Sequence, residues 1–413
     1  MSIATDVTAR CSRTGSLALR LASDAADAYR TGTLLLRGSP SALGWFAGWL
    51  SAEFPPHVLT GHALSAVSPP VVGRVAAAWA AQRADQILGA ALEESFGVKY
   101  HDRVRHPVGE QPGRRGGILQ AAGSRKRYAA QTSDIAYGPD GRDNLLDVWR
   151  HPELPQGRRA PVLLQVPGGG WAISGKRGQA YPLMDRMAGL GWVCVSINYS
   201  KSPRKSWPAH IIDVKRAIAW VRENIAEYGG DPDFIAITGG SAGAHLASLA
   251  ALTANDERLQ PGFEAADTTV QAAAPYYGIY DFTDARKMHD ITLPFLEQVV
   301  MRSRYADNPG LFKSASPISH AHRAAPPFFV LHGDSDSLIP ASQAQAFCAA
   351  LREAGARTVC YAELANAHHA FDTVATVRSR LAADAVADFL GVVYGRYARS
   401  RSARMRQREN TAS

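Results

Sequence analysis

Apolar residues along this chain alternate between two rhythms. Short runs that are apolar at nearly every position recur: Asn144 to Trp149 (NLLDVW), Pro161 to Val166 (PVLLQV), Trp192 to Tyr199 (WVCVSINY), Phe234 to Thr238 (FIAIT), Val270 to Tyr277, Phe328 to Leu331 and Thr358 to Leu364. Such runs predict strands buried on both faces, and PVLLQV, with one polar residue, is expected at the centre of the sheet. Between them lie stretches of helical period. The clearest opens at Pro208 and repeats Ile211, Val214, Ile218, Val221 and Ile225 at three- and four-residue steps, until Gly229-Gly230 ends it and Asp231-Pro232 turns the chain into the next strand. Further helices are expected near 341–354 and 374–392. Apolar strands alternating with amphipathic helices predict an α/β protein with a mostly parallel central sheet and helices on both faces. There is no internal repeat.

Two regions depart from this rhythm. Residues 1–120 read as a helical N-terminal segment. Residues 71–95 look helical, but Arg74, Arg83 and Asp85 exclude a membrane span, and Trp45, Phe46, Trp49 and Leu50 are interrupted nearby by Arg37, Gly38 and Pro40. Two readings stay open for this segment: packing on the main domain as part of a lid, or contact of its aromatic face with a lipid interface. Arg10, Arg13 and Arg20 break the first apolar run, so residues 1–30 do not read as a secretory signal. A basic, glycine-rich joint spans 101–127 and ends in Arg125-Lys126-Arg127. The catalytic body is then expected over 121–395. Within it, 280–323 is longer than an ordinary connection and carries Leu293, Phe295, Leu296, Val299 and Val300, which predicts a cap insertion over the site.

Composition narrows the classes. Of 413 residues, 46% are hydrophobic and 20% charged, the balance of a well-cored globular chain. Cys11, Cys194, Cys348 and Cys360 show no metal-type pairing, and Cys194 and Cys360 fall in apolar strand-like runs, as buried free thiols do. The net charge is +8, yet six arginines between Arg396 and Arg408 are opposed there only by Glu409. This tail, 396–413, reads as basic and disordered, with weak attraction to an anionic membrane surface as the sharper alternative. Nucleic-acid binding is not expected, because the tail holds one aromatic residue, Tyr397. The expected location is cytoplasmic, or peripheral at a membrane or cell envelope. Oligomeric state is not legible.

The chemistry collects in loops that follow strands. Gly239-Gly240-Ser241-Ala242-Gly243 follows the FIAIT strand and precedes a helix of small residues. Small neighbours let Ser241 sit on a strained strand-to-helix elbow, its hydroxyl exposed near a helix N-terminus that favours negative charge. Pro167-Gly168-Gly169-Gly170-Trp171 follows the PVLLQV strand, and its amides, with that of Ala242, could hold an oxyanion. Neither the phosphate-loop pattern nor the dinucleotide fingerprint is completed there. Asp336 lies past the Phe328–Leu331 strand, with Asp334 a competitor for its role, and His369 lies past the last strand beside His368. Adjacent histidines rarely share one metal, and no acidic cluster converges on them, so no metal and no organic cofactor is expected. A serine, then an aspartate, then a histidine, each after a strand, is the chain order of α/β-hydrolases.

At these residues the chain resembles the bacterial hormone-sensitive-lipase-like carboxylesterases of the α/β-hydrolase superfamily. The likeness covers about residues 130–392 and rests on a glycine-tryptophan oxyanion loop at 167–171, Gly-x-Ser-Ala-Gly at 239–243, His-Gly-x-x-Asp-x-Leu-x-Pro at 332–340 and His-x-Phe at 369–371. It implies the α/β-hydrolase fold, with Ser241 as nucleophile, His369 as general base, Asp336 as its orienting acid, and the amides of Gly169, Gly170 and Ala242 as oxyanion donors. Trp171 is expected to contact substrate. The implied activity is hydrolysis of small-molecule or lipid carboxylic esters, with short- to medium-chain acyl groups favoured. A lipase on longer chains, an arylformamidase-like amidase and, remotely, a non-catalytic binding module are the alternatives. Two positions depart from the family pattern: Pro167 stands where a histidine is usual, and Gly240 where an aspartate is common.

Overall fold

A computed structural model describes residues 69–108, 118–129, 132–155, 157–173, 175–283 and 292–412. The N-terminal aromatics Trp45, Phe46, Trp49 and Leu50, Cys11, and the Pro112–Gly117 part of the basic joint lie outside the described residues.

The centre of the fold is β3 (Ala160–Val166), in which every residue is buried. Its side chains alternate between two cores. Val162, Leu164 and Val166 enter one, and Leu163 enters the other. The same alternation runs through β4 (Val193–Ile197) and β5 (Gly230–Gly240), where Val195 and Ile237 face one core and Cys194 and Ala236 the other. Two apolar faces per strand are what a sheet covered on both sides requires. With β1 (Ile135–Ala136), β2 (Leu145–Trp149), β6 (Ala272–Tyr276), β7 (Phe328–Gly333) and β8 (Val359–Leu364), these strands form one sheet in the order β1-β2-β4-β3-β5-β6-β7-β8. The pairs β1–β2 and β2–β4 are antiparallel, and all others are parallel.

One face is covered by α4 (Ala209–Asn224), α5 (Ala242–Leu252) and α8 (Ser342–Glu353). The expected stripe of α4, Ile211, Val214, Ile218 and Val221, is wholly buried there. The other face carries α1 (Pro69–Phe96), α3 (Tyr181–Gly189) and α9 (Val377–Ala412), with α2 (Ile118–Tyr128) at its margin. On α1, Ala84, Leu88, Ala91, Leu92 and Phe96 recur on one side and enter the same core as Phe329, Cys360 and Phe389. The part of the N-terminal segment that is described is therefore packed on the sheet domain. Arg125-Lys126-Arg127, expected in a solvated joint, ends α2 instead, where Arg125 pairs with the buried Asp147.

The 280–323 stretch holds α6 (Thr292–Phe295), which widens into a π turn over Leu296–Met301, and α7 (Pro309–Ala315). Leu296, Val300 and Phe312 are buried in the main core, so the described part of this stretch, 292–323, is packed on the sheet domain.

The basic tail corrects an expectation. Residues 396–412 are not a frayed coil but the last turns of α9. After Gly395 the sequence has no glycine or proline and carries six arginines and three alanines, which favour helix. Tertiary contacts hold its start: Tyr397 and Arg401 both bond Asp231 Oδ2, at 3.2 and 2.8 Å, and Arg159 bonds the other oxygen at 2.6 Å.

If α1 is integral to the domain, Leu92→Ala should destabilise the protein by about 2–5 kcal/mol, as other buried leucine truncations do. Chemical denaturation would read this as a lower midpoint at unchanged slope; an unchanged midpoint would mean α1 adds nothing to the cooperative unit.

Candidate active site

The elbow is dictated by what a side chain would hit. A Cβ on Gly243 would lie 2.1 Å from the Val166 carbonyl oxygen, and one on Gly239 would lie 2.6 Å from the Gly243 oxygen and 2.7 Å from that of Val166. The end of β3 thus runs directly beneath the turn from β5 into α5. Ser241 takes φ 56° and ψ −121°, a conformation that non-glycine residues rarely adopt, and its N–H donates to the Tyr276 carbonyl at 3.0 Å. The serine stands at the first turn of α5 and is partly exposed, while every residue of that helix is buried.

Beside it, the glycine loop crosses the end of β3. Gly169 (φ 112°) and Gly170 (φ 58°) occupy left-handed backbone. Gly168 approaches the elbow so closely that a Cβ there would lie 2.6 Å from the Gly240 oxygen. Gly168 N–H donates to Gln179 Oε1 at 2.7 Å, and Tyr199 O–H donates to the Pro167 carbonyl at 3.0 Å. These two bonds brace the loop at the position where the family's usual histidine is replaced by Pro167. Among the described residues, the amides of Gly169, Gly170 and Ala242 meet no protein acceptor.

Trp171 departs from its expectation. Its side chain is only 2% exposed, edge-on to His245 and Phe282, and its indole N–H donates to His245 Nδ1 at 3.2 Å. It faces the interior and fastens the glycine loop to α5. His245 Nε2–H in turn donates to the Ala315 carbonyl at 2.7 Å, which ties α5 to α7. Burial pushes the His245 pKa down to about 3, so the ring is neutral and can accept from one partner while donating to the other.

At the ends of β7 and β8, Asp336 and His369 meet. His369 Nδ1 lies 2.7 Å from Asp336 Oδ2, and both side chains are buried. Asp336 Oδ1 accepts the amides of Leu338 and Ile339, each at 2.9 Å. His332 Nε2 lies 3.3 Å from Oδ2 and 3.0 Å from the Ile339 carbonyl. Burial alone would raise the Asp336 carboxyl; the charge of His369 and the bonds from His332 and His369 outweigh it and hold the group well below the usual carboxylate range. The ring proton of His369 is then held at Nδ1, and Nε2 is left as the acceptor. The competing Asp334 is exposed and serves the turn, accepting from Ser335 Oγ and the Asn366 amide, both at 2.7 Å.

Tyr277, which the sequence did not single out, stands between the two halves. Its ring lies 4.7 Å from that of His369, and it fills the space beside Gly240, where a Cβ would sit 2.6 Å from its hydroxyl. Ser241, Asp336 and His369 thus all lie past the C-terminal ends of strands of one sheet, where open α/β sheets place their sites. Among the described residues, no cluster of three or more metal-ligating side chains is present.

This sheet, with its serine elbow and its aspartate–histidine pair, defines an α/β-hydrolase, and comparison with known proteins narrows the class. The BD-FAE family model matches residues 146–351. Esterase LipQ of Mycobacterium tuberculosis is 70% identical over 399 residues, which cover 94% of this chain and 95% of that protein. The probable carboxylic ester hydrolase LipM of the same organism is 48% identical over 391 residues, covering 89% and 90%. Among solved structures, a truncated carbohydrate esterase from gut microbiota aligns with a TM-score of 0.55 at 24% identity, covering 64% of this chain and 97% of that one, which supports the fold. The chain belongs to the bacterial hormone-sensitive-lipase-like carboxylesterases of the α/β-hydrolase superfamily, and it is a serine carboxylic ester hydrolase.

The buried histidines set an acid limit. His245, and His210 at about 4, are held below the unfolded value near 6.5. Below pH 6.5 the unfolded chain takes up protons that the folded chain refuses, so stability falls from that point until the folded pKa is passed. The slope approaches about 1.4 kcal/mol per pH unit for each histidine. Melting temperature should therefore drop between pH 6.5 and 4.5, above the carboxylate range, and the drop should be shallower in His245→Gln. An equal slope in that variant would remove His245 from the account.

Proposed function

We propose that Ser241 is the nucleophile, His369 the general base and Asp336 the acid that orients it. The amides of Gly169, Gly170 and Ala242 are the proposed oxyanion donors. The observation that carries this reading is the 2.7 Å Asp336–His369 bond at the same sheet edge as the strained Ser241 elbow. His369 Nε2 takes the Ser241 proton as the hydroxyl oxygen attacks the ester carbonyl, and the glycine-loop amides hold the oxyanion. The tetrahedral adduct collapses to an acyl-enzyme as His369 returns the proton to the leaving alcohol. Water, activated by the same histidine, then releases the acid.

The favoured substrates are esters of short- to medium-chain acids. In support, the Phe295 ring approaches to 3.5 Å from the position a Gly170 side chain would take, and so narrows the space over the glycine loop. Phe295 is 38% exposed and Ile173, two residues beyond Trp171, is 70% exposed. An apolar surface thus borders the loop, suited to the hydrocarbon part of an ester. In this reading 280–323 is the cap and 121–395 the catalytic unit.

A second reading concerns where the enzyme works. The last turns of α9 expose Arg399, Arg404 and Arg406 together with Met405, and Arg396 lies near Arg103 and Arg399 with no carboxylate among the groups that shift it. This supports peripheral contact with an anionic lipid surface. No described helix is long and apolar enough to cross a membrane.

Ser241→Ala should reduce hydrolysis of p-nitrophenyl esters by about 10⁴-fold or more while the melting temperature is kept. Wild-type kcat/KM should peak at short to medium chains in the series from acetyl to palmitoyl. Full activity in the variant would remove Ser241 from the mechanism. Rates rising to the longest chain would replace the short-chain reading with lipid esters.

A further inference from the structure

Tyr277 holds a conformation and a set of contacts that ordinary packing does not require. It adopts φ +40°, in the left-handed region, and is buried. Such backbone persists only where the surroundings over-determine it, and it clusters at sites where geometry matters. Here four restraints converge. Tyr277 N–H donates to the Leu331 carbonyl at 2.7 Å, and the preceding carbonyl, that of Tyr276, accepts the amide of Ser241. The ring stands 4.7 Å from His369, and 5.4 Å and edge-on from Phe371. The hydroxyl donates to Asp372 Oδ1, a buried carboxylate three residues beyond His369 on the same loop.

The same ring accounts for a departure in the elbow. A Cβ at position 240 would lie 2.6 Å from the Tyr277 hydroxyl oxygen and 2.9 Å from two of its ring carbons. The common aspartate at this position has no room while Tyr277 is in place, so Gly240 and Tyr277 are complementary halves of one fit. The ring that fills the gap left by Gly240 is the ring that His369 rests against.

We infer that Tyr277 is a positioning residue for ester hydrolysis: through its ring on His369 and its hydroxyl on Asp372, it fixes the histidine loop relative to the serine elbow, and Gly240 is the vacancy that admits it. This rests on the assignment of Ser241 and His369 made above. Tyr277 touches no reacting atom. It acts by setting the separation of two groups that do, and an error of about 1 Å in such a separation can cost on the order of 100-fold in rate.

The test uses the full chain and a short p-nitrophenyl ester, with rates normalised to sites titrated by a p-nitrophenyl phosphonate, so that misfolded protein does not count. Tyr277→Phe keeps the ring and removes only the bond to Asp372. It should lower kcat by about 10-fold and leave KM within about twofold, the pattern of lost transition-state alignment rather than lost binding. Gly240→Ala should cost more in the wild-type background than in Tyr277→Ala, because the collision exists only when the ring is present. A Tyr277→Phe enzyme with wild-type kcat, or a Gly240→Ala cost equal in both backgrounds, would overturn the inference. Ser241→Ala, run in parallel, separates the two levels. If it stays active, the nucleophile assignment has failed; if it is dead while Tyr277→Phe is unimpaired, only the positioning role has failed.

Discussion

The structure hangs on one close approach of backbone to backbone. The Val166 carbonyl at the end of the central strand lies where the side chain of Gly243 would be, and the missing carbon lets α5 begin directly above β3. Everything the site needs follows from that contact. The helix starts at the sheet edge, the serine is thrown into its strained turn, and the glycine loop that leaves β3 is brought alongside it. One methyl group at 243 would separate the loop from the elbow. The glycines at 239 and 168 repeat the constraint from two other directions, so three surfaces meet with no side chain between them.

Around this contact two buried charges are held by full sets of partners. The Lys215 ammonium is fully enclosed, yet it donates to the Thr253 carbonyl, Gln260 Oε1 and Thr268 Oγ1, three acceptors for its three protons. Asp147 is buried beneath Lys176, Arg177 and Arg125, and although burial would raise its carboxyl, the bonds from Arg177, Lys176 and the Asp134 amide hold it down to about 2. Lys176 lies five residues past Trp171, so this ion cluster anchors the far end of the glycine loop to β2. His245 anchors its near end without any charge. Removing one partner from either arrangement would leave a buried group unsatisfied, which is costlier than the bond itself is worth.

Most of the fold was legible because burial on both sheet faces leaves an unmistakable pattern. PVLLQV could be placed at the centre because only an interior strand needs apolar side chains at consecutive positions, and β3 is fourth of eight. The motif residues were legible because their backbone demands are local: a glycine on either side of Ser241, consecutive glycines after a strand. What escaped was set by tertiary contact. The tail was read as frayed on its charge, but Asp231, more than 160 residues earlier, supplies the partner that holds its first turn. Trp171 was expected at the substrate, whereas its direction is decided by His245 on another element. Tyr277 had no local signature at all, since an aromatic residue at a strand end is ordinary until its backbone angle and its neighbours are known.

Strand order explains why such a residue is needed. Ser241 follows β5, Asp336 follows β7 and His369 follows β8, with β6 between the first two. At about 4.8 Å per strand, β8 stands roughly 14 Å from β5, farther than an imidazole can reach from its own strand. The histidine loop must therefore fold back over the sheet edge. Its bonds trace that path: Ser335 N–H donates to the Ala367 carbonyl at 3.1 Å, the Asn366 amide to Asp334, and Gly333 yields its side-chain space to the Ala367 carbonyl. These contacts carry the loop across β7, and Phe371 of the same loop packs 5.9 Å from Tyr276 at the end of β6. The remaining gap lies over β6, and the residue that emerges from the end of β6 is Tyr277, large enough to span from His369 to Gly240. Its ring, 4.7 Å from that of His369, is where the histidine loop meets the serine elbow.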